Sequence, residues 1–177
     1  MIRRGALRIL ISALVIIVLL APALAGAVNK RTSEFRQIRQ LRHTTWHWQR
    51  VMGVAKTPAG HAALRVSSTK YRQWVLRLWQ KRATRERRLA QSVPHKSQWL
   101  CIHRGEGSWT ANTGNGYYGG LQMDLSFQRS YGGYLLRVKG TANHWSPSEQ
   151  MWVAERAHES GRGFYPWPNT ARACGLI

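Results

Sequence analysis

Residues 106–122, Glu-Gly-Ser-Trp-Thr-Ala-Asn-Thr-Gly-Asn-Gly-Tyr-Tyr-Gly-Gly-Leu-Gln, join one carboxylate to amides, hydroxyls and flat aromatic faces. Asn112, Thr113, Asn115 and Gln122 supply hydrogen-bonding groups. Trp109, Tyr117 and Tyr118 supply apolar planes. Gly114, Gly116, Gly119 and Gly120 let the backbone turn tightly and approach a neighbour closely. Such a mixture is no helix core. It suits a carbohydrate: rings for sugar faces, amides for hydroxyl and N-acetyl groups, and Glu106 as the acid for the bond to be broken. On residue types alone, a polar hairpin loop that binds nothing is the alternative.

The elements that must position this stretch lie in residues 97–177, which carry 7 basic and 5 acidic residues and are nearly neutral. A helix over 98–106, with Trp99 and Ile102 on its apolar face, puts Glu106 at its C-terminal end, and Gly107 stops it. Asp124 is a helix N-cap before Leu125–Tyr131, with Gly132-Gly133 as the expected stop. Ser146-Pro147-Ser148-Glu149 is a capping box with proline in the first turn. It opens a helix through about Ser160 that Gly161 and Gly163 end. Residues 164–177 are expected to wind over the surface to a short turn at Cys174. Only Trp109–Leu121 reads as strand-like, so the fold class is α+β, mostly α. A domain of this size is small for one core and calls for a staple. Cys101 and Cys174, the chain's two cysteines, bracket it and read as one disulfide if the chain is exported; two free thiols would fit a cytosolic chain.

The rest of the chain differs sharply. Of a net charge of +20, residues 29–96 hold most, with 17 Lys and Arg against Glu34 and Glu86. Amphipathic stripes over 33–52 (Phe35, Ile38, Leu41, Trp48, Val51, Met52) and 71–89 (Tyr71, Trp74, Val75, Leu78, Trp79, Leu89) predict two helices, broken at Thr57-Pro58-Ala59-Gly60. This reads as a basic helical linker or stalk, able to meet an anionic wall polymer or membrane surface. Residues 1–28 read as a signal peptide or N-terminal membrane anchor: Arg3, Arg4 and Arg8, then an uncharged run from Ile9 to Val28 ending in Ala-x-Ala patterns. Export places the basic region outside the cell and argues against nucleic acid as its partner. His43 and His47 are four apart, yet no carboxylate or thiol sits beside them in sequence. No metal and no cofactor is expected.

Trp109-Thr-Ala-Asn-Thr-Gly-Asn-Gly-Tyr-Tyr-Gly-Gly-Leu-Gln122 closely resembles the catalytic domain of the actinobacterial resuscitation-promoting factors, transglycosylase-like peptidoglycan hydrolases. The resemblance covers about 97–177. It continues through Gly132-Gly133, Glu149-Gln-Met-Trp-Val-Ala-Glu-Arg156 and Trp167-Pro168, and does not extend over 29–96. It implies a small lysozyme-like fold, peptidoglycan glycan strands as partner and Glu106 as the catalytic acid. Two departures stand out. The family places a cysteine directly before its glutamate, where this chain has Gly105, and its tryptophan follows that glutamate by five positions instead of three. The family's second cysteine comes three residues after the tryptophan of Trp-Pro, whereas Cys174 is seven after Trp167. Both cysteines have moved by four residues, about one helical turn.

The resemblance implies cleavage of the β-1,4 bond between N-acetylmuramic acid and N-acetylglucosamine, which needs a proton at the leaving oxygen. A carboxyl group in a partly apolar pocket can supply one. A two-carboxylate glycosidase needs a second acid some 5–9 Å away. Asp124 is better explained as a cap, Glu149 as part of the capping box, and Glu155 as a structural partner of Arg156 or Arg104. One acid fits a lytic transglycosylase, in which the substrate's own C6 hydroxyl attacks; attack by water is the lysozyme-like variant. The alternative of another class is a wall-binding module that holds glycan without cutting it.

Overall fold

The computed structural model describes residues 29–60 and 68–177. The expected targeting segment, 1–28, lies outside them. Among the described residues no helix is long and apolar enough to cross a membrane. The described residues form two compact units: one takes residues 29–42 with 59–60 and 68–80, the other His43–Pro58 with Lys81–Ile177.

Two long helices, α1 (residues 29–51) and α2 (Thr69–Gln91), contribute to both units. In the first unit Ile38, Val75 and Trp79 are buried. The Arg72 Nε donates to Glu34 Oε2 at 3.1 Å with both side chains buried, and the Arg42 guanidinium lies 5.7 Å over the Trp79 ring. Glu34 meets Arg72 and Arg42 meets Trp79, so the helices run in the same direction along their apolar stripes.

The second unit is α+β and mostly helical. It holds α3 (Lys96–Glu106), a two-stranded wing of β1 (Tyr117–Tyr118) and β2 (Met123–Asp124), α4 (Leu125–Lys139), α5 (Pro147–Ala157) and α6 (Pro168–Ala173). The strands pair antiparallel, Tyr117 with Asp124 and Tyr118 with Met123. The core gathers Trp99 and Ile102 of α3, Leu121 and Met123 of the wing, Leu135 of α4, Met151 and Val153 of α5, and Trp167. Trp99 and Trp167 meet edge to face, ring centroids 5.2 Å apart, an arrangement aromatic pairs favour. Val51 of α1 and Val93 enter the same core. The domain limit expected near 95–97 follows the change in charge, whereas the packed unit also takes in residues 43–58 and 81–96.

The local signals act as read at two helix starts. Asp124 Oδ1 accepts from the Phe127 N–H at 2.7 Å, and Ser146 with Glu149 completes a capping box ahead of Pro147. The expected stop at Gly132-Gly133 is a break inside α4 and not its end, since Gly132 leaves helical geometry and helical residues resume after it. α4 passes through it, bending at Gly132 (φ −121°, ψ 15°), and ends at Gly140, where φ is +77°. Gly132 serves packing: a Cβ there would lie 2.5 Å from Trp145 Cη2. α5 gives way at His158 to a π turn, His158–Arg162. The tail, expected as loop, instead forms α6. The bridge between Cys101 and Cys174 is present, Cα atoms 6.1 Å apart.

Glu149 does more than cap. It is buried, and its carboxylate accepts from His47 Nε2 at 2.8 Å, Lys139 Nζ at 2.7 Å and the Ser146 N–H at 2.7 Å. Burial alone pushes the carboxyl up, but the bonds from His47, Lys139 and Ser146 outweigh it and hold the pKa at about 2, below the ordinary 4.5. A depressed folded-state value contributes stability above the unfolded pKa that is lost as pH falls through the folded one. The window therefore runs from about 4.5 down to about 2, and the contribution is on the order of 3 kcal/mol. Urea denaturation of the wild type should show stability falling across this window. Glu149→Gln should be less stable at neutral pH and should show a flatter decline; parallel declines would refute the assignment.

Candidate active site

Glu106 ends α3 half-buried, and its Oε1 accepts from Thr170 Oγ1 of α6 at 2.7 Å. The two helices come this close because residue 105 lacks a side chain: a Cβ on Gly105 would lie 2.6 Å from Thr170 Cγ2 and 3.5 Å from Thr170 Cβ. Glu106 faces a cavity of about 300 Å³ walled also by Tyr117, Gln122, Pro166, Trp167, Pro168 and Asn169. A second cavity of about 190 Å³ shares Tyr117, Gln122, Pro166 and Trp167 and adds Asp124, Ser126, Phe127 and Arg162. The shared walls make them one groove, with a carboxyl group in one half and a carboxylate and a guanidinium in the other. A cavity of about 560 Å³ beside Trp152 is a weaker candidate. Its one lining carboxylate, Glu86, is buried and accepts from Gln49 Nε2 at 3.4 Å.

Of the residues expected at the site, the fold brings three together: Glu106, Tyr117 and Gln122. Tyr117 is 47% exposed on the outer face of β1. Its neighbour Tyr118 points the other way, as successive strand residues must, and packs on the core. Gln122 has φ +44°, an uncommon value for a residue other than glycine. It is held there by its Nε2 and backbone N–H, which both donate to Gly119 O, at 2.8 and 3.1 Å. Asn112, Thr113 and Asn115 lie exposed on the loop before β1 and do not line the groove. Asn115 Oδ1 accepts from the Tyr117 N–H, and Asn112 bridges to Tyr118, so both shape the wing. Trp109 also lies outside the groove: its ring stacks on His103, centroids 3.8 Å apart, over Gly120.

The wing is anchored through Gln150 of α5, a side chain with no solvent exposure. Its Oε1 accepts from the Gly120 N–H at 2.8 Å. Its Nε2 donates to the carbonyls of Trp109, Ala142 and Trp145 at 2.8–3.0 Å. A Cβ on Gly119 would strike this amide, so glycine at 119 is required both by contact and by its φ of +73°.

Asp124 lies on the groove but is occupied. Its bonds from the Phe127 N–H and the Ser126 hydroxyl hold its carboxyl below the usual range, and the Arg162 charge adds to this. Glu155, expected to pair with Arg156 or Arg104, instead accepts from Trp99 Nε1 at 2.8 Å and from His95 Nδ1 at 3.0 Å. Arg156 turns to backbone, donating to the carbonyls of Tyr131, Arg50 and Val51. His47 is taken up by Glu149 and the Tyr134 hydroxyl. The sequence reading missed Thr170, Asn169 and Arg162. Trp167-Pro168 was singled out without a role; in the fold Trp167 Nε1 donates to Leu121 O at 2.6 Å and its ring walls the groove.

A single carboxyl group at a helix end, with an aromatic and amide wall opposite, can deliver a proton to an oxygen lying in the groove. The family model described as "transglycosylase-like domain" matches residues 93–170. Among curated relatives, resuscitation-promoting factor Rpf1 of Corynebacterium glutamicum is 40% identical over 70 residues, which are 40% of this chain and 35% of that protein. Resuscitation-promoting factor RpfE of Mycobacterium tuberculosis is 39% identical over 82 residues, 45% of this chain and 44% of its own length. Resuscitation-promoting factor Rpf of Micrococcus luteus is 37% identical over 70 residues, 40% and 29% of the two chains. The chain thus spans less than half the length of these relatives. Residues 93–170 are similar to a transglycosylase-like domain, and part of the chain is similar to resuscitation-promoting factors.

Proposed function

We propose that this domain cuts peptidoglycan glycan strands at the β-1,4 bond between N-acetylmuramic acid and N-acetylglucosamine, with Glu106 as the one general acid. The observation that carries the reading is the placement of Glu106 on the groove beside Tyr117, Gln122 and Trp167, with Thr170 fixing one carboxyl oxygen. The free oxygen presents the proton to the leaving group. No other carboxylate is free to act as nucleophile. Asp124 caps α4, Glu149 and Glu155 are buried in networks of their own, and Glu159 is exposed and lines neither half of the groove. A lone acid favours the lytic course: Glu106 protonates the departing O4 as the glycosidic bond breaks, and the C6 hydroxyl of the muramoyl residue then bonds to its own anomeric carbon, giving its proton to the Glu106 carboxylate and restoring the acid.

The test is product analysis. The disulfide-bonded protein is incubated with purified peptidoglycan, and the soluble fragments are weighed by mass spectrometry. Fragments ending in 1,6-anhydro-muramic acid, lighter by one water than hydrolysed ends, are expected. Hydrolysed ends would keep the acid and replace the nucleophile with water. Binding without soluble fragments would favour the wall-binding module instead. Within the same reading, residues 1–28 direct export, and the basic stretch 29–96 holds the enzyme to an anionic wall polymer or membrane surface.

A further inference from the structure

Away from the groove, α5 and the turn after it form a cluster that the proposed chemistry does not use. His95, at the start of α3, sends Nδ1 to within 3.0 Å of Glu155 Oε1 and 3.3 Å of Oε2. His158, three residues beyond Glu155, places its own Nδ1 at 3.8 Å from the same Oε1. All three ligand atoms lie within 4.8 Å of one another. None of these residues lines the groove.

We propose that His95, Glu155 and His158 form a site for a divalent transition metal, with zinc as its natural occupant. The donor set, two imidazoles and a carboxylate, is one that zinc takes with a fourth position left to water. Bonds of about 2.0–2.1 Å in a tetrahedron set neighbouring donors roughly 3.4 Å apart. The two measured separations from Glu155 Oε1, 3.0 and 3.8 Å, bracket that value, so small rotations of the two rings suffice. The carboxylate is already oriented, because Trp99 Nε1 holds the other oxygen, Oε2, at 2.8 Å, the kind of outer partner that fixes metal ligands. Access is one-sided: Glu155 is 1% exposed while the His95 side chain is 42% exposed, which leaves a route for the ion and room for water. Phe164 backs both imidazoles, 5.9 and 4.7 Å from their centroids. The bound ion would tie the start of α3, the helix that carries Glu106, to α5. No free cysteine competes among the described residues.

The experiment titrates the disulfide-bonded full chain with zinc by calorimetry and with cobalt by visible absorption. One ion should bind per chain, with the intense d–d bands of low-coordinate cobalt. His158→Ala removes a ligand that makes no short hydrogen bond to Glu155, so the fold, checked by circular dichroism, should persist. Its affinity should fall by more than about tenfold, and His95→Ala should behave alike. His43→Ala, a change at an exposed histidine outside the cluster, should bind as the wild type does. Absence of stoichiometric binding in the wild type, or binding that survives both His158→Ala and His95→Ala, would overturn the site. Loss of binding in His43→Ala with retention in His158→Ala would overturn it equally. None of these readouts depends on glycan cleavage.

Discussion

In Glu106→Gln, release of soluble fragments from peptidoglycan is expected to fall by roughly 10²- to 10⁴-fold, the range that general acids contribute. The substitution is chosen for what it keeps. Glutamine retains an oxygen that can accept from Thr170 Oγ1, so the α3–α6 contact at 2.7 Å survives. The side chain keeps its size on the groove wall, and binding of glycan should change little. What it loses is the carboxyl proton. The variant should therefore unfold at the wild-type urea midpoint and lose turnover with little change in KM. Wild-type release from this variant would remove Glu106 from the mechanism. Equal inactivity of wild type and variant, with retained binding, would leave only the wall-binding function.

Reduction of the Cys101–Cys174 bridge, or Cys101→Ser with Cys174→Ser, should lower unfolding stability by about 4 kcal/mol. The bridge spans 73 residues, and the entropy of closing a loop grows with its length, which gives that figure on the chain-entropy account. The closed segment contains the rest of α3, the wing, α4, α5 and α6, so nearly the whole groove lies inside it. Both cysteines are only half-buried, which leaves the bond open to reductant. Urea curves with and without reductant measure the effect, with the double serine variant as control for reductant itself. Superimposable curves would show that the core alone fixes α6. If the bridge holds Thr170 against Glu106, activity falls on reduction at urea concentrations where the domain is still folded.

The features legible in the sequence are those decided within a few residues. The Asp124 cap and the Ser146–Glu149 box depend on hydrogen bonds reaching three positions ahead, and the alternation of Tyr117 and Tyr118 follows from strand geometry. Partners far along the chain were not legible. Gly132 does break the helical backbone of α4, but the helical residues that resume after it and Trp145 packed over it were not legible. Trp109 has the composition of a sugar platform, but His103 claims its face. His47 finds Glu149 from 102 residues away, and Glu155 finds His95 from 60. Charge misled in the same way: the basic stretch ends near residue 96, yet Val51 and Val93 sit in the core with Trp99. Residues 97–177 alone would leave that core incomplete, so solution tests are best made on the longer chain.

Gly105 and Thr170 occupy the two positions at which the family carries its own cysteines. A Cβ at 105 would stand 3.5 Å from that of Thr170, within the span a disulfide bridges. One helical turn away, Cys101 and Cys174 make the actual bond. The displacement runs toward the N-terminus in α3 and toward the C-terminus in α6, and the two registers can both close only because these helices are antiparallel. The helix pair is thus a ladder with at least two usable rungs. A lineage could add the second rung before removing the first, and so move its cross-link without passing through an unbridged ancestor. In this chain the 105–170 rung carries no cysteine, and Thr170 offers its hydroxyl to the acid.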